Sequence, residues 1–123
     1  MALLNGGSVK AQTTPGADSV IVAGNGTTTE LVSGALEALG GMDSFVGPGD
    51  RVLIKPNASF SVAPNMGANT SPEVASAVVS LSLGAGASQV ILADHTINKP
   101  GTITVQINGL KEATEGCGGE FVV

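Results

Sequence analysis

Polar side chains that could bind a ligand follow three apolar segments of the sequence. Lys55 and Asn57 follow one segment, Asp94 and His95 follow another, and Asn25 follows a third. If these segments are parallel strands, their carboxyl ends meet at one edge of a sheet, which is where open α/β sheets bind ligands. A lysine at such an edge suits a small anionic or carboxylate ligand, whereas an aspartate next to the histidine suits a metal ion.

A second set of polar residues precedes the clearest helix of the sequence. Ser71 is a good N-cap, Pro72 suits the first helical position, and Glu73 suits the first turn. The N–H groups and partial positive charge of a helix start also favour an anion. The predicted ligand-binding residues are therefore Lys55, Asn57, Asn69, Thr70 and Asn25, and the predicted metal ligands are Asp94 and His95.

Each of these residues also has a purely structural interpretation. A lysine at the end of a buried strand can extend its ammonium to water. Asn57 and Asn69 can satisfy their own backbone in turns, and Thr70 can cap the helix. Both interpretations remain open from the sequence alone.

Several kinds of chemistry lack the residues that they need. His95 is the only histidine, and with one aspartate it falls short of the three or four protein ligands of a zinc site. The Gly-Asn-Gly at 24–26 lacks the third glycine of a dinucleotide-binding fingerprint, so NAD is not predicted. There is no G-x-S-x-G nucleophile elbow, so a hydrolase is not supported. Whether the protein is an enzyme stays open, and its cofactor is unknown.

Composition excludes further classes of function. The chain has 123 residues, which favours one domain, and its formal net charge of −5 argues against binding to nucleic acid. There is no Trp or Tyr to stack on bases. One cysteine cannot supply the roughly four ligands of an iron–sulfur cluster. No apolar run reaches the ~20 residues of a membrane span, and the compartment, cytoplasmic or secreted after signal removal, is left open.

Alternating apolar and helical patterns predict an α/β fold. The expected strands are 19–24, 51–55, 88–94 and 120–123, and the expected helices are 30–39, 71–84 and a short one ending at Gly116. This order predicts a three-layer, Rossmann-like or flavodoxin-like fold, with a mainly parallel sheet and βαβ units. Residues 1–17 are interpreted as a flexible lead, and 18–123 as a single domain.

Three blocks of sequence resemble one known family. They read "ALEALGGMDSFVGPGDRVLIKPN", "ANTSPEVASAVVSLSLGAGASQVILADHT" and "NGLKEATEGCGGEFVV". Together they are similar to the family of domain of unknown function 362 (DUF362), over about Val20 to Val123. The motif positions that match are Lys55, Pro56, Asn57, Asn69, Thr70, Pro72, Glu73 and Asp94.

The resemblance implies an α/β domain whose activity is largely unassigned, distantly similar to the nickel-pincer racemases. Many members carry ferredoxin-type iron–sulfur segments, and the family domain continues beyond the part that matches here. This sequence has no ferredoxin segment, and Ile97 stands where many members have cysteines.

If only half of such a domain is present, exposed edges favour pairing with other chains, and the low charge, 12% of residues, does little to oppose it. We therefore expect a homo-oligomer or a partner chain that completes the domain. The alternative to a binding module is a structural protein that assembles into homo-oligomers or filaments without catalysis.

Overall fold

Strands come first in the described chain, and from β3 onward strands and helices follow one another, with two helices before the last strand. The computed structural model describes residues 3–4, 7–13 and 20–123. The strands in these ranges are β1 (Leu3–Leu4), β2 (Gly7–Thr13), β3 (Val20–Asn25), β4 (Arg51–Ile54), β5 (Gln89–Ala93) and β6 (Glu120–Val122). The helices are α1 (Thr28–Ala38), α2 (Pro72–Gly84), α3 (Gly101–Ile107) and α4 (Leu110–Gly116).

The second half of the chain forms a parallel sheet in the order β4-β5-β6. In register, Leu53 lies beside Ile91, and Ile91 lies beside Glu120. Helix α2 connects β4 to β5, and α3 and α4 connect β5 to β6. These are βαβ units, so the predicted α/β fold with a parallel sheet is confirmed.

One face of this sheet forms the hydrophobic core. Alternate strand residues point to the same face, and here they meet the apolar sides of α2, α3 and α4. Leu92, Val79 and Leu110 are fully buried in this cluster. Burying each such side chain contributes about 1.5–3 kcal/mol. The remaining members of the core are Ala58, Ala75, Val90, Val105 and Phe121, with Val52 and Ile54 packed against it.

The opposite face of the parallel sheet has no helix on it in the ranges described. We call it the outer face, and it consists of Arg51, Leu53, Gln89, Ile91, Ala93, Glu120 and Val122. Leu53 is 71% exposed and Val122 43% exposed. In the described ranges the parallel sheet is therefore covered by one helical layer, and a third layer remains a prediction.

The predicted first strand is present but lies in a different sheet. β3 pairs antiparallel with β2, and β2 pairs antiparallel with β1. The expectation that β3 is a parallel strand in the same sheet as β4 is wrong, because its apolar sequence identifies a strand without identifying the partner. β1 and β2 fall within the stretch interpreted as a lead, whose residues 1–2, 5–6 and 14–17 lie outside the described residues.

Helix α1 begins with a capping box. The hydroxyl of Thr27 accepts the N–H of Glu30 (3.3 Å), and the carboxylate of Glu30 accepts the N–H of Thr27 (2.7 Å). Two donors that the first turn leaves unpaired are satisfied in this way. α1 packs against α2 and against the strands β2 and β3.

Helix α3 is an element that the sequence patterns did not predict. Its segment Gly101–Ile107 is rich in β-branched residues, which favour strands when judged locally. Burial of Thr104 and Val105 against the rest of the fold decides the conformation instead.

Among the helices of the described ranges, none combines the length and the apolar character that a membrane span requires.

Candidate functional site at the carboxyl edge of the sheet

Lys55 and Asp94 meet at the carboxyl edge of the parallel sheet. Lys55 follows β4, Asp94 follows β5, and the Lys55 Nζ lies 2.5 Å from the Asp94 Oδ1. The two side chains are in very different surroundings, since the Lys55 side chain is 71% exposed and that of Asp94 is 4% exposed. The convergence of these two strand ends is the part of the predicted site that the structure brings together.

Both oxygens of the Asp94 carboxylate accept hydrogen bonds. Oδ1 faces Lys55, and Oδ2 accepts the backbone N–H of Ala58 at 2.7 Å. Burial alone would raise the pKa of Asp94. The hydrogen bonds from Lys55 and Ala58 and the attraction of the ammonium outweigh burial, so the pKa of Asp94 lies below its ordinary value. Asp94 is therefore an anion at neutral pH.

The predicted ligand-binding residues of the following loop bond to one another. The Thr70 hydroxyl accepts the N–H of Asn57 (2.9 Å), and the Asn57 side chain donates to the Ala68 carbonyl (3.1 Å). Asn69 holds Phe60 through two bonds, accepting its N–H and donating to its carbonyl, both at 3.0 Å. These contacts match the structural interpretation of Asn57, Asn69 and Thr70, which hold the two sides of the loop together.

A buried asparagine that directly follows α3 supports the site and was not predicted from the sequence. The Asn108 side chain has no exposed surface, donates to the Ala58 carbonyl (3.4 Å) and accepts the N–H of Leu110 (3.2 Å). Asn108 and Asp94 therefore hold the two polar groups of the Ala58 backbone. The Asn-Gly pair at 108–109 indicates a turn, but nothing in it indicates a contact 50 residues away.

His95 lies beside a second lysine. It is exposed, and its Nε2 lies 3.5 Å from the Lys99 Nζ. No group of three His, Cys, Asp or Glu side chains is placed to hold a metal ion among the residues that the structure describes. A metal at Asp94 and His95 remains a prediction, and it would have to displace Lys55 from the Asp94 carboxylate.

The start of α2 is occupied by its own side chains. The Ser71 hydroxyl is hydrogen-bonded to the Glu73 carboxylate, and this bond lowers the pKa of Glu73. Ser71 occupies the N-cap position as predicted, but its side chain makes no cap hydrogen bond. A negative charge is therefore already present at this helix start, which makes it a poorer anion site than the sequence suggested.

Asn25 is separated from the other predicted residues by the sheet topology. It ends β3, which belongs to the antiparallel sheet. No side-chain hydrogen bond joins Asn25 to Lys55 or Asp94 in the part of the chain that is described. Asn25 was included in the predicted site because β3 was expected to be a parallel strand of the same sheet. Since β3 belongs to the antiparallel sheet, this reason for including Asn25 no longer holds.

Comparison with known proteins gives two matches. The sequence pattern of the family described as "Domain of unknown function (DUF362)" matches residues 52–123, which include all of the parallel sheet except Arg51 and also include Lys55 and Asp94. A thylakoid-associated protein of Synechocystis sp. (strain ATCC 27184 / PCC 6803 / Kazusa) is 53% identical over 51 residues, which are 42% of this chain and 16% of that protein. The aligned segment is thus a small part of the relative. No solved structure matches the chain.

Proposed function

The chain belongs to the DUF362 family, and from that premise we propose that it is a binding module for a small anion at the carboxyl edge of its parallel sheet. The observation that carries the proposal is the pair formed by Lys55 and Asp94. A buried carboxylate fixes the position of an ammonium whose side chain is otherwise exposed to solvent.

Lys55 retains capacity for a ligand. A lysine ammonium has three N–H donors. Of these, one serves Asp94 and one serves the Pro56 carbonyl at 2.8 Å, which leaves a third donor. A ligand carboxylate or phosphate oxygen is a strong acceptor for such a donor because the bond is charge-assisted.

The surroundings of Lys55 also favour an anion. The Lys99 Nζ lies 3.5 Å from the Nε2 of His95, the residue after Asp94, so a second lysine lies near the end of β5. The chain as a whole carries ten acidic and five basic residues. An anion would be repelled by most of this surface, and a local group of basic side chains is the place where it can bind.

The test is an isothermal titration with inorganic phosphate and, separately, with oxalate at low ionic strength. The variants are Lys55→Met and Lys55→Gln, and the matched control is Lys111→Met, which removes a lysine from α4. We expect the Lys55 variants to lose most of the affinity and Lys111→Met to keep it. Equal binding by all proteins, or none by the wild type, would remove the basis for an anion site.

A second candidate function is self-association, and the outer face favours it. Parallel sheets occur almost only with both faces covered. Here Leu53 and Val122 leave apolar surface open on one face. The test is the native mass by light scattering after size exclusion, which should exceed that of the 12.0 kDa monomer. Under this hypothesis the protein has a structural role as an oligomer and requires no catalysis.

A further inference from the structure

We propose that the outer face binds the outer face of a second copy of this chain, about a two-fold axis parallel to the strands. This inference rests on the self-association proposed above and adds how the two outer faces meet. The apolar part of the surface is Leu53, Ile91, Ala93 and Val122, which extends across all three strands of the parallel sheet.

A row of polar side chains crosses the amino end of the same face. The Arg51 Nε donates to the Gln89 Oε1 at 2.8 Å, and the Gln89 Nε2 donates to the Glu120 Oε2 at 3.1 Å. In register, Glu120 is paired with Ile91, and Gln89 is paired with Arg51. The carboxylate of Glu120 nevertheless extends along the strands to Gln89 and so reaches the level of Arg51. A positive group on β4 and a negative group on β6 therefore lie at the same level, on opposite edges of the sheet.

This arrangement is complementary to itself. A two-fold axis parallel to the strands and passing over β5 places β4 of one copy over β6 of the other. Arg51 of each copy then faces Glu120 of its partner, and Ile91 lies near the axis. A two-fold interface must repeat every contact in this way. A two-fold axis in the plane of the sheet but perpendicular to the strands would instead place β4 of one copy over β4 of the other. Arg51 of one copy would then approach the end of the partner's β4 that leads to Lys55.

The chemistry of the face also favours a second copy over a strongly charged partner. Its apolar centre carries no charged side chain, and its rim carries one positive and one negative group. Opposite charges across a rim fix the register and orientation of an interface more than they add affinity.

Charge reversal tests the geometry. Arg51→Glu and Glu120→Arg should each weaken the dimer by about tenfold or more, because each places like charges opposite one another. The double variant Arg51→Glu/Glu120→Arg reverses both charges and should dimerise like the wild type. An equal mixture of the two single variants should form a mixed dimer about as tight as that of the wild type, because positions 51 and 120 then carry opposite charges at both rims. Recovery of the dimer in the double variant and in the mixture is therefore the decisive result.

The apolar centre has its own variant and matched control. Leu53→Ser should abolish the dimer, whereas Phe45→Ser, which removes an apolar side chain that is 60% exposed but lies outside the sheet, should leave it intact. Sedimentation velocity gives the dissociation constant, and circular dichroism confirms that each variant is folded.

The outcomes separate this inference from the proposal on which it rests. A wild type that is monomeric at every concentration overturns both. A dimer that survives Leu53→Ser and all charge reversals shows self-association through another surface and overturns only this inference. Loss of the dimer in both single variants without recovery in the double variant overturns the two-fold geometry.

Discussion

Replacing Lys55 with Met tests how the carboxyl edge is stabilised. The change removes the ammonium that faces Asp94 but keeps a side chain of similar length. Asp94 would then remain as a largely buried carboxylate, 4% exposed, with the Ala58 N–H as a remaining donor. The variant therefore measures what the ammonium contributes to a charge that is held inside the protein.

The structure sets the size of the effect. Breaking a fully buried ion pair by removing one partner costs about 3–5 kcal/mol. Two features reduce this figure here: the Lys55 side chain is 71% exposed, so its attraction is screened by solvent, and Asp94 keeps its hydrogen bonds to the backbone, including that from Ala58. We expect a loss of about 1–2 kcal/mol at neutral pH, which corresponds to a fall in Tm of about 3–8 °C for a domain of this size.

The loss should depend on pH in a defined direction. In the wild type the pKa of Asp94 is below its ordinary value of 3.8, so its ionisation stabilises the fold above that pH, and this contribution disappears as the pH falls through the lowered pKa. In the variant, burial is no longer outweighed by Lys55, so the pKa of Asp94 should rise and the carboxyl should protonate at higher pH. The difference in stability should therefore be largest at neutral pH and should shrink as the pH falls from the raised pKa of the variant to the lowered pKa of the wild type.

Urea unfolding of both proteins over a pH series measures this difference. Asp43→Asn, a change at an exposed aspartate outside the site, serves as the control. The double variant Lys55→Met/Asp94→Asn should recover part of the loss at neutral pH, because no buried charge remains. A difference between wild type and Lys55→Met that stays constant over the whole pH series would refute the reasoning.

Three further changes test other parts of the fold. Asn108→Ala should cost about 1–3 kcal/mol in urea unfolding, because it leaves the buried polar groups that Asn108 holds without a partner. Thr27→Ala removes the capping box and should cost about 1 kcal/mol, with faster amide exchange in the first turn of α1; unchanged exchange would count against the cap. Leu92→Ala should cost about 2–5 kcal/mol, because it opens a cavity in the core, and a loss well below this range would mean that the core collapses around the change.

The sequence was sufficient to identify the strands and most helices of the family domain. The apolar run before Lys55 and the run before Asp94 each had the length and composition of a buried parallel strand, and the structure confirms both strands. Convergence of their ends at one edge then follows from parallel pairing alone. In this region the sequence pattern of each segment and the packing of the folded domain favour the same structure, so hydrophobic periodicity and helix-capping rules predict it.

The parts that could not be predicted depend on distant contacts. The partner of β3 is chosen by pairing with β2, which no feature of the β3 sequence specifies. Asn108 reaches Ala58 across 50 positions. Asn57 and Asn69 had both a ligand-binding and a structural interpretation, and only the loop geometry shows which backbone groups they satisfy.

The contacts within the loop between β4 and α2 have a consequence for the thermodynamics of binding. The loop is bonded to itself from Asn57 to Thr70 and from Phe60 to Asn69, and Ser61 donates its N–H to the Asn98 side chain at 2.8 Å. Fixing the backbone of a single residue costs about 1–2 kcal/mol in conformational entropy. Because folding has already ordered this segment, a ligand that reaches Lys55 does not have to order it, and more of the contact energy is retained as affinity.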